Sequence, residues 1–343
     1  MSSQQSGFQE HNPYSRPIQD LRLQVAGSRL EPIIEEFKAE LEHAGVRRVQ
    51  PHFYLSTEWG VVTGTVAIAI PFYLARPDLI ALHAERIGHI EGFNRTDILR
   101  YLRHEMGHVV NYAYRLYEEE DWVKHFGSIT QPYLEEYRPE PFSRRYVRHL
   151  PGWYAQKHPD EDWAETFAIW MTPRLDWRAE YGNWPEALAK LEYCNRTMQA
   201  LAEREPMVTA DELDEDVSQL SYSVEDYYRR NPAAEEPFPH GLDGALRAIF
   251  EDLDVPEEAP ADIPRKPASM LIRQFERDLI ANVYRWTGHF PEYTRALLRH
   301  LEARADALQQ VYPEGLESSA LLALTTLVTA LALNYVHRGT YLP

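Results

Sequence analysis

The residues in this chain best suited to chemistry are His104-Glu105-Met106-Gly107-His108, two histidines one helical turn apart with a glutamate between them. On an α-helix, residues four apart share a face, so both imidazoles can offer a nitrogen to one zinc ion at about 2 Å. Glu105 leans over the same position, where it can serve as a general base. A hydrolytic zinc site also needs a third protein ligand and a position left open for water. The segment His158-Pro159-Asp160-Glu161-Asp162-Trp163-Ala164-Glu165-Thr166 supplies candidates. Glu161 and Glu165 are four apart, so one can ligate while the other accepts the second ring N–H of a ligating histidine.

Both motifs need helices to present them, and the flanking residues predict helices. Ile98, Leu102, Met106, Val109, Ala113 and Leu116 recur at steps of three and four, and Asn94-Arg95-Thr96-Asp97 offers N-caps just before them. Pro159 and Asp160 mark a second helix start, followed by a stripe of Trp163, Phe167 and Trp170. Upstream, residues 51–59 and 61–70 are rich in β-branched and aromatic side chains around Gly60 and read as strands. An edge strand above the metal could pair with an extended substrate; equally, both strands could be interior.

The two motifs together resemble the gluzincin metallopeptidases. More narrowly, Leu102 to His108 with His158 to Thr166 is similar to a bacterial family of zinc-binding metallopeptidases. The likeness covers roughly residues 50–200. It implies His104, His108 and Glu161 as zinc ligands, Glu105 as base and Glu165 behind a ligating histidine. It also implies a tyrosine seven residues before the glutamate ligand, as in lethal-factor-type gluzincins, which steadies the transition state; Tyr154 holds that offset, with His149 and His158 as alternatives. Members of the bacterial family carry an N-terminal cysteine-rich zinc ribbon. Here the chain departs, since Cys194 is its only cysteine.

The expected fold is therefore α+β. A zincin-like catalytic domain over residues 1–202, with a small mixed sheet and the His-Glu-x-x-His helix, precedes an acidic, proline-rich connector over 203–266 and an all-helical C-terminal domain over 267–343. The expected activity is zinc-dependent hydrolysis of a peptide or amide bond in a peptide or protein substrate. A small-molecule amidase or deacetylase would use the same metal and base, and an interaction protein with a structural zinc is the non-catalytic alternative.

At 343 residues and 44% hydrophobic, the chain can bury a sizeable core. Its formal charge of −18 argues against nucleic acid as a partner. Residues 203–262 hold eighteen acids against four bases, and Pro206, Pro232, Pro237, Pro239, Pro256, Pro260 and Pro264 punctuate the same region. Such a segment reads as a solvated connector, or as a flap that brings Asp211, Glu212 or Glu215 over the metal. Ser318 to Val336 carries no charge and reads as the central helix of a C-terminal bundle rather than a membrane anchor. A single cysteine and a polar stretch from Met1 to Arg16 point to the cytoplasm. Trp153, Trp163, Trp170, Trp177 and Trp184 read as core before pocket, Glu118 to Asp121 as a solvated loop, and Arg144, Arg145 and Arg148 as a surface or substrate-carboxylate cluster.

Overall fold

The computed structural model describes residues 13–87, 90–133, 137, 139–140, 143–231, 238, 242–253 and 264–341. Most of the stretch from Met1 to Arg16, and residues 232–237, 239–241 and 254–263 of the expected connector, lie outside the described residues. The first elements are α1 (Leu30–Ala44), β1 (His52–Ser56), β2 (Gly60–Val61), β3 (Ala67–Pro71), α2 (Pro77–Arg86), α3 (Arg95–Tyr114) and α4 (Glu120–Phe126). They are followed by α5 (Pro159–Met171), α6 (Trp177–Glu180), α7 (Pro185–Leu201) and α8 (Val224–Arg230).

β3 lies between β1, which it pairs in parallel, and β2, which it pairs antiparallel. All five β3 residues are buried, as expected for a strand covered on both faces. α1 lays Leu30, Ile33, Ile34, Phe37 and Leu41 into the same core as the inner face of α3. It ends at Gly45, whose φ of +82° is the left-handed cap that glycine adopts without strain. α3 begins where the sequence suggested, with Asn94 Oδ1 accepting from the Asp97 amide at 3.0 Å. α5 begins at Pro159 behind His158, whose Nδ1 accepts from the Asp160 amide at 3.2 Å. The acidic run before α4 is not simply a loop: Glu120 and Asp121 form its first turn, where negative charge suits the helix dipole.

Residues 203–231 do not form a free connector. The amides of Met207 and Val208 donate to Ala113 O at 2.8 and 3.1 Å, and the Val66 amide donates to Ala210 O at 2.7 Å. Val217, Leu220, Val224 and Tyr228 then join the first hydrophobic core, which runs from Ile18 to Tyr228. Proline and acid content concealed this because the aromatic and aliphatic residues that anchor the segment are too sparse to be periodic.

A second core runs from Leu242 to Tyr341. It is built on α9 (Leu242–Arg247), β4 (Glu251–Asp252), β5 (Arg265–Pro267), α10 (Ala268–Thr287), α11 (Pro291–Ala307), β6 (Gln310–Pro313) and α12 (Glu317–Arg338). The all-helical expectation is corrected here, since β4 and β5 flank β6 in an antiparallel sheet. Strands of two to four residues are too short to show an alternating pattern. α12 is not central either. Leu324, Val328 and Leu331 are buried, while Leu322 on the outward face is 70% exposed. By length and apolarity α12 could cross a membrane.

Arg295 on α11 joins the two cores. It is 5% exposed and donates to Glu85 O at 2.6 Å and Ala84 O at 2.7 Å, at the C-terminal end of α2 where helix carbonyls lack partners.

Candidate metal centre

α3 and α5 bring the two sequence motifs together. His104 Nε2 lies 3.0 Å from Glu161 Oε2, His108 Nε2 lies 3.3 Å from the same oxygen, and the two ring nitrogens are 3.2 Å apart. Donors on bonds of about 2 Å at tetrahedral angles stand about 3.3 Å from one another, so the triangle has the size of one face of a zinc tetrahedron. All three residues are buried, and together they form a group able to hold a metal ion. Glu161 Oε2 makes no hydrogen bond despite its two close nitrogens. Three buried donors converge on a point, and two imidazoles with one carboxylate are a donor set that zinc takes well.

Each imidazole is oriented from behind. His104 Nδ1 lies 2.9 Å from Glu165 Oε1, and Glu165 Oε2 accepts the amides of His149 at 3.0 Å and Leu150 at 2.8 Å. His108 Nδ1 lies 3.1 Å from Asp160 Oδ2, close although not aligned as a hydrogen bond. Asp160 in turn accepts from Asn111 Nδ2 at 2.7 Å and Tyr112 Oη at 2.5 Å. Carboxylates placed behind histidines in this way fix ring orientation and raise ligand basicity. The Glu165 contact is the one expected from the sequence. That of Asp160 is new, because its position at the helix start suggested only a cap.

The buried imidazoles and carboxylates shift one another's protonation. Burial opposes charge on His104, yet Glu161 and Glu165 lift it to about 9. Burial likewise opposes charge on His108, which Asp160 and Glu161 nonetheless raise well above the usual histidine value. Glu161 is buried, which alone would raise it, but the two imidazoles hold it well below the carboxylate range. A metal replaces those protons. Glu105 is raised by burial, an effect the two histidines partly offset. Behind α5, Asp162 is lifted by burial to about 7 in spite of Lys190 Nζ at 2.5 Å.

The centre opens into a cleft of about 600 Å³ whose walls include Trp59, Gly60, Val61, Tyr112, Tyr117 and Tyr133. Glu105 and Tyr154 also line it. The Tyr154 ring lies 5.5 Å from that of His104, and its hydroxyl stays protonated because burial and Glu161 raise it. The alternatives to Tyr154 are otherwise engaged. His149 is pushed down by burial to about 4 and bonds Arg100 O through Nε2. His158 lines the cleft, but its Nε2 reaches Gln131 O at 3.0 Å while Nδ1 caps α5.

Several other expected contributors lie elsewhere. Asp211 sits 3.4 Å from His52, Glu215 accepts from the Thr57 hydroxyl, and neither they nor Glu212 line the cleft. The segment that could have been a flap is instead tied to side chains of β1: Ser56 Oγ donates to Asp214 O at 3.0 Å, and the Asp214 amide donates to Tyr54 Oη at 3.2 Å. Arg148 stacks between Trp153 and Trp184, and Arg145 pairs with Glu186 at 2.8 Å. Of the tryptophans, Trp59 is the one in the cleft wall, where its indole stacks on Tyr101.

A family model described as "Putative zinc-binding metallo-peptidase" matches residues 45–234. The chain belongs to that family. The matched stretch contains both helices of the metal centre and ends just beyond α8, so this zinc-binding metallopeptidase domain includes the acidic segment threaded through its core. The family is zinc-binding, and in this member the buried His104, His108 and Glu161 trio is a group able to hold the ion. No curated protein and no solved structure matches the chain.

Proposed function

We propose that this protein is a gluzincin-type zinc hydrolase that cleaves a peptide bond, with His104, His108 and Glu161 as ligands. The observation that carries the reading is the donor triangle of 3.0, 3.2 and 3.3 Å set in a cleft that Glu105 shares. A zinc ion there would activate water and polarise the carbonyl under attack. Glu105, in the same cleft, would be the general base for water and then the acid for the leaving amine, a service worth typically a hundredfold or more. The Tyr154 hydroxyl donates to the developing oxyanion. Glu165 and Asp160 hold the two imidazoles in register.

The substrate lies along β2. Gly60 and Val61 line the cleft and form the sheet edge nearest the metal centre, so an extended peptide can add to them by main-chain hydrogen bonds. An open cleft of this size suits a peptide better than a closed pocket would. The chain divides on this reading into a catalytic unit through about residue 231 and a C-terminal unit from 242. The lone, buried Cys194 fits the reducing cytoplasm.

The test is an unbiased peptide cleavage profile with zinc-loaded and chelated protein, repeated with Glu105→Gln. The expected result is cleavage that needs zinc and is lost in Glu105→Gln, while metal content and fold are retained. Full activity in that variant would remove Glu105 from the mechanism. No product from the zinc-loaded protein would favour a structural role for the metal.

A further inference from the structure

The two carboxylate oxygens of Glu161 have different partners. Oε2 faces both imidazoles, at 3.0 and 3.3 Å. Oε1 accepts a hydrogen bond from Tyr133 Oη at 2.7 Å. Tyr133 belongs to neither motif helix; it arrives from the loop that follows α4. Its side chain forms part of the cleft wall and is 46% exposed, with Lys157 Nζ 4.4 Å from the ring centroid and Tyr154 Oη 3.4 Å from its hydroxyl.

We propose that Tyr133 is a positioning residue that keeps Glu161 a one-oxygen ligand. The inference rests on the zinc reading above and concerns the shape of the site rather than the reaction. The terminal torsion of a glutamate is broad, so nothing in the side chain itself prevents Oε1 from turning toward a metal beside Oε2. A second carboxylate oxygen on the ion would occupy the position that a catalytic centre leaves open. The Tyr133 phenol opposes that turn by engaging Oε1. Among the described residues, it is the hydrogen-bond donor Oε1 has. Phenylalanine at 133 would keep the ring against Lys157 and lose the hydroxyl, with its bond to Glu161 Oε1 and its contact with Tyr154 Oη.

The test uses the full chain with Co²⁺ as a spectroscopic probe and Zn²⁺ in competition with a chromophoric chelator. Wild type should give the intense visible bands of four-coordinate Co²⁺. Tyr133→Phe should bind Zn²⁺ on the order of ten- to a hundredfold more weakly, the usual scale for losing a partner of a ligand. Its Co²⁺ bands should weaken as coordination number rises, with the thermal midpoint of the metal-free protein unchanged. Unchanged affinity and spectrum in Tyr133→Phe, beside a loaded wild type, would overturn the role of Tyr133 and leave the zinc centre standing. A wild-type chain that binds neither ion would overturn the centre itself and this inference with it.

Discussion

A β-carbon on Gly107 would come within 2.6 Å of Ala164 Cα and 3.0 Å of Ala164 O, so α3 and α5 cross at backbone contact there. The Trp163 indole donates to Gly107 O at 2.8 Å across the same crossing. Gly107 lies inside the histidine motif and Ala164 inside the glutamate motif, and their closeness allows His104, His108 and Glu161 to share one point. Gly107→Ala would gain about 1 kcal/mol of helix propensity but must force the helices apart. Overpacking of this kind costs about 1–3 kcal/mol, and the contact is with backbone, which yields little. Denaturant unfolding should show a net loss of stability, and zinc titration a weaker site. A variant as stable and as tightly metal-bound as wild type would show that the crossing does not constrain the centre.

Glu165→Ala removes the partner of His104 Nδ1 and leaves the His149 and Leu150 amides without their acceptor. Zinc affinity should fall about ten- to a hundredfold, and stability by about 1–3 kcal/mol for the stranded donors. Asp160→Ala should weaken zinc by a similar factor through His108. Chelator competition measures both, and wild-type affinity in either variant would dismiss that carboxylate as an orienting group.

Arg295→Met keeps most of the side-chain volume but removes the two hydrogen bonds to the end of α2. Bonds from a charged donor are worth about 1.5–3 kcal/mol, so the junction between the two cores should loosen by at least that order. Faster amide exchange at the C-terminal turn of α2 and in α11, with zinc affinity retained, is the expected readout. Unaltered exchange would mean that the apolar contacts alone hold the units together.

The C-terminal core should be acid-sensitive through His289. Its Nδ1 lies 2.7 Å from Thr294 Oγ1 and its Nε2 2.9 Å from Tyr341 Oη, and burial pushes it down to about 3. An unfolded histidine titrates near 6.5, so between these values the unfolded chain binds more protons. The contribution is whole above about pH 6.5 and is lost as pH falls toward 3, by up to about 1.4 kcal/mol per pH unit. Denaturant midpoints of wild type and His289→Gln at pH 7 and pH 5 should show a smaller acid loss in the variant. Equal losses would assign the sensitivity to other groups.

What could be read from the sequence is what helices encode locally. His104 and His108 must share a face because they are four apart, Asn94 and Pro159 announce helix starts, and Glu161 and Glu165 repeat the same spacing one helix later. These features depend on backbone geometry within a turn or two. The sheet was only half legible. Residues 51–70 were visibly strand-like, but the order β1-β3-β2, which leaves β2 at the cleft, is a matter of pairing between segments.

The rest required the folded chain. Tyr133 reaches an oxygen of Glu161 twenty-eight residues away, with no period or motif to announce it. Asp160 serves His108 because α5 lies against α3, and the acidic segment joins the first core through Ala113 and Val66, far from it in sequence. Short-range spacing thus determined which side chains could form a metal centre. Tertiary packing decided which oxygen each offers and what stands behind it, because those contacts join residues whose separation along the chain carries no signal.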